Sequence, residues 1–362
     1  MGHQCHPKDG TVVNASGIVT VAIVVAFATF LNGCAGSSGD NRETQGRSAH
    51  VSQPIPPASA PVISAALAKR LHANELGQVM VLEYHNIIDK KGQFNQSPSQ
   101  LRGDLQQLYD NGYIPIDIHD WLSGNITTPA GKSPVLITFD DASTYQFRYI
   151  ETNGSHEIDP NCAVGIMDAF AAAHPDFGAH ATFFVLPNGF SQPAFKAEKY
   201  RYLISHGYAI GNHTWTHPML AHKTPAQIQE ELGKDDADIH AILPNYTVDV
   251  LAYPYGSRPK TANKFDDTYI KNGVWKGLPY HISAAFLVGA NPAPSVFSKD
   301  LSRMAIPRVQ AIEPDLVRWI AYFKRHPERR FVSDGDPNAI SFPKSEARFL
   351  ARDLGGKKTI EY

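Results

Sequence analysis

Two imidazoles and two adjacent carboxylates are the residues of this chain best suited to chemistry. His213-Thr-Trp-Thr-His217 sets two histidines four residues apart. That spacing puts both on one face if the segment is helical, and lets both reach a single cation. Asp140-Asp141 stand directly after the apolar run Val135 to Phe139. Either signal alone is ordinary: 16 His in 362 residues produce chance pairs, and adjacent acids commonly cap a following helix. Joined at one site they make a two-histidine, one-carboxylate set with a carboxylate to spare. Such a set leaves open coordination positions on zinc or a similar divalent cation, as hydrolysis requires.

The elements that must position these residues are legible as alternating strands and helices. Apolar runs at Val79 to Tyr84, Ile114 to Ile116, Val135 to Phe139, Ala181 to Leu186, Tyr208 to Ile210, Val248 to Tyr253, Ile282 to Leu287 and Met304 to Ile306 read as strands. Ser97-Pro98 opens a helix that runs to about Asp110, a second helix covers Ala194 to Ser205, and Thr224-Pro225 opens a third that runs to Leu243. Alternation without hairpin turns implies parallel strands with helices outside. The fold class is therefore α/β, an incomplete or distorted (β/α) barrel of about seven parallel strands. Active sites of such barrels lie at the carboxyl ends of the strands. His85, Asp140, Asp141, His213 and Tyr255 all stand at those ends.

Composition bounds the rest. Hydrophobic residues at 43% and charged residues at 19% fit a globular core, and a formal charge of −2 argues against nucleic acid as a partner held by bulk electrostatics. Three cysteines are too few for a disulfide framework. Ile18 to Leu31 is a 14-residue uncharged run, short for a membrane span and suited to a signal peptide, with an uncleaved amino-terminal anchor as the alternative. Leu31-Asn32-Gly33-Cys34 resembles the lipobox of bacterial lipoproteins, which implies a lipid on Cys34 as membrane anchor. The expected organisation is a lipoprotein signal peptide over 1–34 and a flexible Ser/Gly/Pro-rich tether over 35–63. A barrel follows over 64–330, with a carboxyl-terminal extension packed on it over 331–362. The chain is expected to be exported and lipid-anchored, facing the periplasm or cell exterior, and no protein partner is inferred.

Thr138-Phe139-Asp140-Asp141 followed by Gly211-Asn212-His213-Thr214-Trp215-Thr216-His217-Pro218 resembles the first two motifs of the polysaccharide deacetylase (NodB homology) family. Leu251-Ala252-Tyr253-Pro254-Tyr255-Gly256 resembles the third. The opening Val81-Leu82-Glu83-Tyr84-His85 is similar to the first strand of the poly-N-acetylglucosamine deacetylase branch. The resemblance implies Asp141, His213 and His217 as ligands of one divalent metal ion, zinc by preference. It implies Asp140 as general base toward the attacking water, and the backbone N–H of Tyr255 as oxyanion donor. The substrate class it implies is an N-acetylated polysaccharide of the cell envelope.

The pattern also breaks. The Arg that usually opens the third motif and pairs with the base is replaced here by Ala252, and Arg303 is a candidate to approach from another strand. No late-motif His is found between Leu301 and Val309. His85 is the expected general acid, because it ends the first strand and imidazole titrates near neutrality; His281 is a more distant candidate. The long interval from Ala142 to His180 reads either as an aromatic sugar-stacking wall or as a packed insertion. Two other functions stay open: a non-catalytic carbohydrate-binding surface lipoprotein, and an amidase acting on a non-carbohydrate substrate.

Overall fold

The computed structural model describes residues 63–312 and 314–362. The expected signal peptide, Cys34 and all of the 35–63 tether except Ile63 lie outside the described residues.

Eight strands form the main sheet: β1 Met80–Tyr84, β2 Tyr113–Pro115, β3 Ser133–Asp140, β4 Thr182–Val185, β5 Ala209–Asn212, β6 Val250–Ala252, β7 Ala284–Phe286 and β8 Val309–Gln310. Seven lie on one path in the order β7-β6-β5-β4-β3-β1-β8, with β2 beside β3, and every pairing is parallel. The segment 303–311 bridges the two ends of that path. On one side the Ala285 N–H donates to Arg303 O at 2.7 Å and the Leu287 N–H to Ile306 O at 2.8 Å. On the other the Ala311 N–H donates to Glu83 O at 3.0 Å. The result is the distorted (β/α) barrel expected from the sequence. The predicted strand Met304 to Ile306 is displaced: Ile306 makes a single bridge to Phe286, and the ladder proper starts at Val309. Pro307, with no N–H to donate, interrupts it.

Strand alternation sorts the side chains. From β3, Val135, Ile137 and Phe139 point outward and pack on Leu101, Leu105 and Leu108 of a covering helix. Leu136, Thr138 and Asp140 point into the lumen, where Leu136 joins Val81, Phe184, Ala252, Phe286 and Ile306. The helices are α1 Ala65–Leu71, α2 Pro98–Asp110, α3 Ile118–Ser123, α4 Ala163–Ala173, α5 Lys196–Ser205, α6 Pro225–His240, α7 Thr268–Lys271 and α8 Asp315–Arg325. α2 and α6 each start with proline inside a reciprocal capping box, Ser97 with Gln100 and Thr224 with Gln227.

Three antiparallel hairpins, absent from the sequence reading, stand in the loops rather than in the barrel. They pair Tyr149–Thr152 with Ser155–Ile158, Lys260–Thr261 with Lys264–Phe265, and Asn272–Trp275 with Leu278–His281. Their turn pairs, Asn153-Gly154, Ala262-Asn263 and Lys276-Gly277, all have positive φ, as tight hairpin turns require. Past Arg330 the chain runs across the amino-terminal end of β1. Val332 bridges Asn74, Phe331, Ile340 and Phe342 join the lower core, and Ala339–Phe342 pairs with Lys358–Glu361.

Candidate metal centre and active site

Asp141, His213 and His217 converge at the carboxyl ends of β3 and β5. Asp141 Oδ1 lies 3.3 Å from His213 Nε2 and 3.4 Å from His217 Nε2. The two histidines do not share a helical face. Residues 213–219 form a bend without helix, and Thr214 (φ 69) and His217 (φ 55) adopt left-handed backbone to turn both rings inward. Side chains hold that bend. Asn212 Oδ1 accepts from the Thr214 N–H at 2.8 Å, and Thr214 Oγ1 accepts from the His217 N–H at 3.0 Å. Glu231 of α6 accepts from both the N–H and the hydroxyl of Thr216, at 2.7 and 2.6 Å.

The donor set fits one tetrahedral divalent ion. Ligand atoms about 2.0–2.1 Å from such an ion stand roughly 3.3–3.4 Å apart, the spacing found around Asp141 Oδ1. His213 Nδ1 faces the Ala252 carbonyl at 2.9 Å, which keeps the Nε2 lone pair free for ligation. Burial disfavours the charged form of both imidazoles. In His213 the neighbouring Asp140 and Asp141 outweigh it and raise the pKa, whereas in His217 burial and the nearby His213 lower it.

Asp140 points up the lumen and is paired with a residue the sequence reading passed over. Arg308 donates through Nη1 to Asp140 Oδ1 at 2.8 Å and through Nη2 to Oδ2 at 2.6 Å, a two-pronged clamp. The same Nη1 reaches Thr138 Oγ1 at 3.0 Å, Nε donates to Leu287 O at 2.8 Å, and Nε stands 3.5 Å from Glu83 Oε2. Burial alone would push the Asp140 carboxyl up; the Arg308 guanidinium outweighs it and holds the group well below the usual carboxylate range. Arg308 therefore occupies the role sought for Arg303. Arg303 sits at the opposite end of β7, where its Nη2 donates to Leu122 O at 2.7 Å. Gly289 makes the closing segment possible: a Cβ there would stand 1.5 Å from Arg308 O, while its N–H donates to Glu83 Oε2 at 2.9 Å.

His85 lies in the same mouth, its ring 4.7 Å from that of Phe94. Polar atoms of Glu83, His85 and Asp140 fall within 4.8 Å of one another. Gln146, which carries no motif, donates to the backbone carbonyls of both Asp140 and His85 and ties the two strand ends together. Tyr255 has φ 58, and its exposed ring stands 4.6 Å from that of His217. Asp141, Ala142, Thr214, His217 and Tyr255 thus all hold positive φ without being glycine. Such strain gathers where the surrounding structure fixes a functional geometry. His281 is elsewhere, exposed on its hairpin with Nδ1 2.8 Å from Asn272 Oδ1.

The 142–180 interval is a packed insertion. Phe147, Tyr149 and Cys162 are buried. Fully buried Lys199 of α5 donates to Phe147 O and Gln192 Oε1, both at 2.8 Å, among the rings of Phe147, Tyr149 and Phe190.

Residues 127–270 match the family model for polysaccharide deacetylases. A chitooligosaccharide deacetylase from Bradyrhizobium sp. (strain ANU 289) is 26% identical over 127 residues, covering 35% of this chain and 48% of that protein. The chain thus spans about half the length of the curated relative it matches. Among solved structures, the Streptococcus pyogenes deacetylase PplD in complex with acetate superimposes with a TM-score of 0.51 at 18% identity, over 67% of this chain and 97% of that one. A polysaccharide deacetylase from Bacillus cereus gives 0.50 at 20% identity, over 67% of this chain and 68% of that one. These two likenesses concern the fold, which is the same distorted barrel. The TFDD and HTxxH residues gathered at its mouth belong to the part of the chain in and around residues 127–270, the stretch that is similar to the polysaccharide deacetylase family.

Proposed function

We propose that this protein is a metal-dependent N-deacetylase that hydrolyses acetamido groups of an N-acetylhexosamine polysaccharide of the cell envelope. One observation carries the reading: an ionised, Arg308-clamped Asp140 stands beside the convergent Asp141, His213 and His217. Asp141, His213 and His217 would hold the ion. A divalent cation there, zinc by its donor set, would supply Lewis acidity toward the amide carbonyl and toward water. Asp140 accepts the proton of the attacking water, the Tyr255 backbone N–H faces the oxyanion, and His85 returns a proton to the nitrogen as it leaves. The new C–O bond gives acetate, and breaking the C–N bond leaves a free amine on the sugar.

The rim suits a sugar polymer. Tyr255 is 60% exposed beside His217, and Phe94 is exposed beside His85. Apolar side chains on both sides of the mouth match the apolar faces of pyranose rings. The deacetylase activity named for the Bradyrhizobium relative supports the same class of substrate. A purely carbohydrate-binding role drew its appeal from Ala252 and from the lack of a late-motif acid His; the Arg308 clamp removes the first of these motives. The same reading puts the barrel outside the cytoplasm, tethered to a membrane by a lipid on Cys34; the uncharged run Ile18 to Leu31 and the Gly33-Cys34 pair support it.

The test is acetate release from N-acetylglucosamine oligomers by the purified protein with added zinc, beside an Asp140→Asn variant. Release by the parent and its loss in the variant are expected. A parent shown to bind zinc and releasing no acetate sinks the reading. Equal release by both removes Asp140 as base.

A further inference from the structure

A groove lies at the amino-terminal ends of β6 and β7, the opposite end of the barrel from the metal cluster. Asp249 immediately precedes β6 and Ser283 immediately precedes β7, while His213 and Tyr255 follow the strands. The cavity measures about 680 Å3. A neighbouring one of about 500 Å3 shares Ser283 and Arg303 with it, so the two adjoin. Its size is within the roughly 300–1,000 Å3 of sites for small organic ligands.

The walls are held in place before any ligand arrives. The Ser283 hydroxyl donates to Asp249 Oδ2 at 2.7 Å, and His119 Nδ1 stands 3.1 Å from Asp249 Oδ1. The Tyr246 hydroxyl donates to Ile210 O at 2.9 Å and accepts from the Ile210 N–H at 2.8 Å, which fixes its ring as one side of the groove. Arg303 is anchored through Nη2 alone. Its Nε and Nη1, the Asn245 amide and the Thr247 hydroxyl have no hydrogen-bond partner among the described residues. Asn245 and Thr247 are exposed and line the groove with Arg303, which leaves these groups as available donors and acceptors.

We propose that this groove is a second carbohydrate site, which grips the polymer away from the catalytic mouth. The chemistry selects the ligand class. Arg303 and Asp249 bring opposite charges, so the groove has no strong net attraction for an anion. Donors and acceptors of Arg303, Asn245 and Thr247 lie beside the half-buried Tyr246 ring, the pattern a neutral ring with hydroxyls on its edge and C–H groups on its face requires. An N-acetylhexosamine chain has that pattern. The identity of the sugar rests on the deacetylase reading above; the groove and its free polar groups do not.

The test uses the full chain carrying Asp140→Asn, which stops turnover, co-sedimented with insoluble poly-N-acetylglucosamine. Adding Asn245→Ala and Thr247→Ala is expected to weaken polymer binding about five- to tenfold, the loss of one or two net hydrogen bonds. With Asp140 intact, the same pair of substitutions should change turnover of a soluble N-acetylglucosamine trimer by less than twofold, with an unchanged melting temperature. Retained polymer binding in the substituted chain, or no polymer binding by the parent, overturns the proposal. So does a parallel loss of trimer turnover at unchanged melting temperature. Binding that falls as expected in a chain that releases no acetate would sink the deacetylase reading and leave the groove standing. Normal turnover with polymer binding unaffected does the reverse.

Discussion

Arg308 clamps Asp140 across the barrel lumen from the one segment that joins β7 to β1. The same guanidinium faces Glu83, so one buried cation serves two buried carboxylates. Removing one member of a buried, hydrogen-bonded ion pair leaves uncompensated charge and costs about 3–5 kcal/mol. Arg308→Met should lose that much stability in chemical denaturation at neutral pH. The sign follows from Asp140, whose folded pKa is depressed: its contribution is fully present above the unfolded carboxylate pKa and is lost as pH falls through the folded one. Without Arg308, burial is opposed only by the weaker pull of His213 and His85 and the carboxyl pKa rises, so the acid limb of the pH–rate profile should move to higher pH. Arg308→Lys keeps the charge and loses the two-pronged geometry, and should fall between the two. An unmoved acid limb in Arg308→Met would show that the clamp does not set the ionisation of the base.

Ala252 occupies the position where relatives are expected to carry their arginine, and its methyl lines the lumen with Phe184, Phe286 and Ile306. The Arg308 guanidinium already stands over Phe184 in that lumen, 5.7 Å from its ring. Ala252→Arg should therefore destabilise the protein by at least about 3 kcal/mol, through overpacking and a second buried cation. Combining it with Arg308→Ala should recover part of the loss and part of the acetate release. If Ala252→Arg alone melts like the parent, the lumen has room that the packing does not indicate.

The parallel strands were legible because strands buried on both faces read as unbroken apolar runs, and the acids and histidines that follow them announce the mouth. Arg308 was not, because its partner lies 168 residues away and only closure of the barrel brings them together. A cation inside the otherwise apolar run from Met304 to Val309 was the available signal: a charge in a buried strand needs a buried partner. The Asn153-Gly154 turn was likewise readable as a hairpin. The bend carrying His213 and His217 was not, since four-residue spacing suits a helix equally well. What decides against the helix is the pull of Asn212 and Glu231 on the Thr214 and Thr216 backbone, together with left-handed φ values. Gln146 has no sequence signature, because it acts through the carbonyls of Asp140 and His85.

Zinc binding should follow Asp141, His213 and His217 together. The parent is expected to gain about 2.7 kcal/mol of stability at a free zinc concentration 100 times the dissociation constant. Alanine at any of the three should abolish most of that gain in thermal melts with and without chelator. A zinc-induced shift that survives His213→Ala would place the ion elsewhere.

In the proposed function His85 is the general acid toward the leaving amine and stands apart from Asp141, His213 and His217. His85→Ala should lower kcat about 10²–10⁴-fold, the usual worth of a positioned general acid, while zinc content and KM stay close to those of the parent. A variant that loses zinc along with activity would reassign His85 to holding the ion.

Lys199 separates a folding contribution from a catalytic one. Its ammonium is fully buried against carbonyl oxygens and ring faces, and burial pulls its pKa down to about 8. Between that value and the unfolded lysine pKa near 10.4, the unfolded chain binds the extra proton, so stability rises with pH across the window by up to about 1.4 kcal/mol per pH unit. Below pH 8 both states are protonated and the cost of burying the charge is constant. Lys199→Met lacks the titration. The stability difference between parent and variant should shift in favour of the parent as pH rises from 8 to 10. The neighbouring Tyr149 and Cys162 titrate upward-shifted in the folded state and are present in both proteins, so their contributions largely cancel in the difference. A difference flat across pH 8–10, measured by denaturant unfolding at each pH, would mean that Lys199 is solvated in solution and that the insertion it holds packs more loosely than the carbonyl contacts imply.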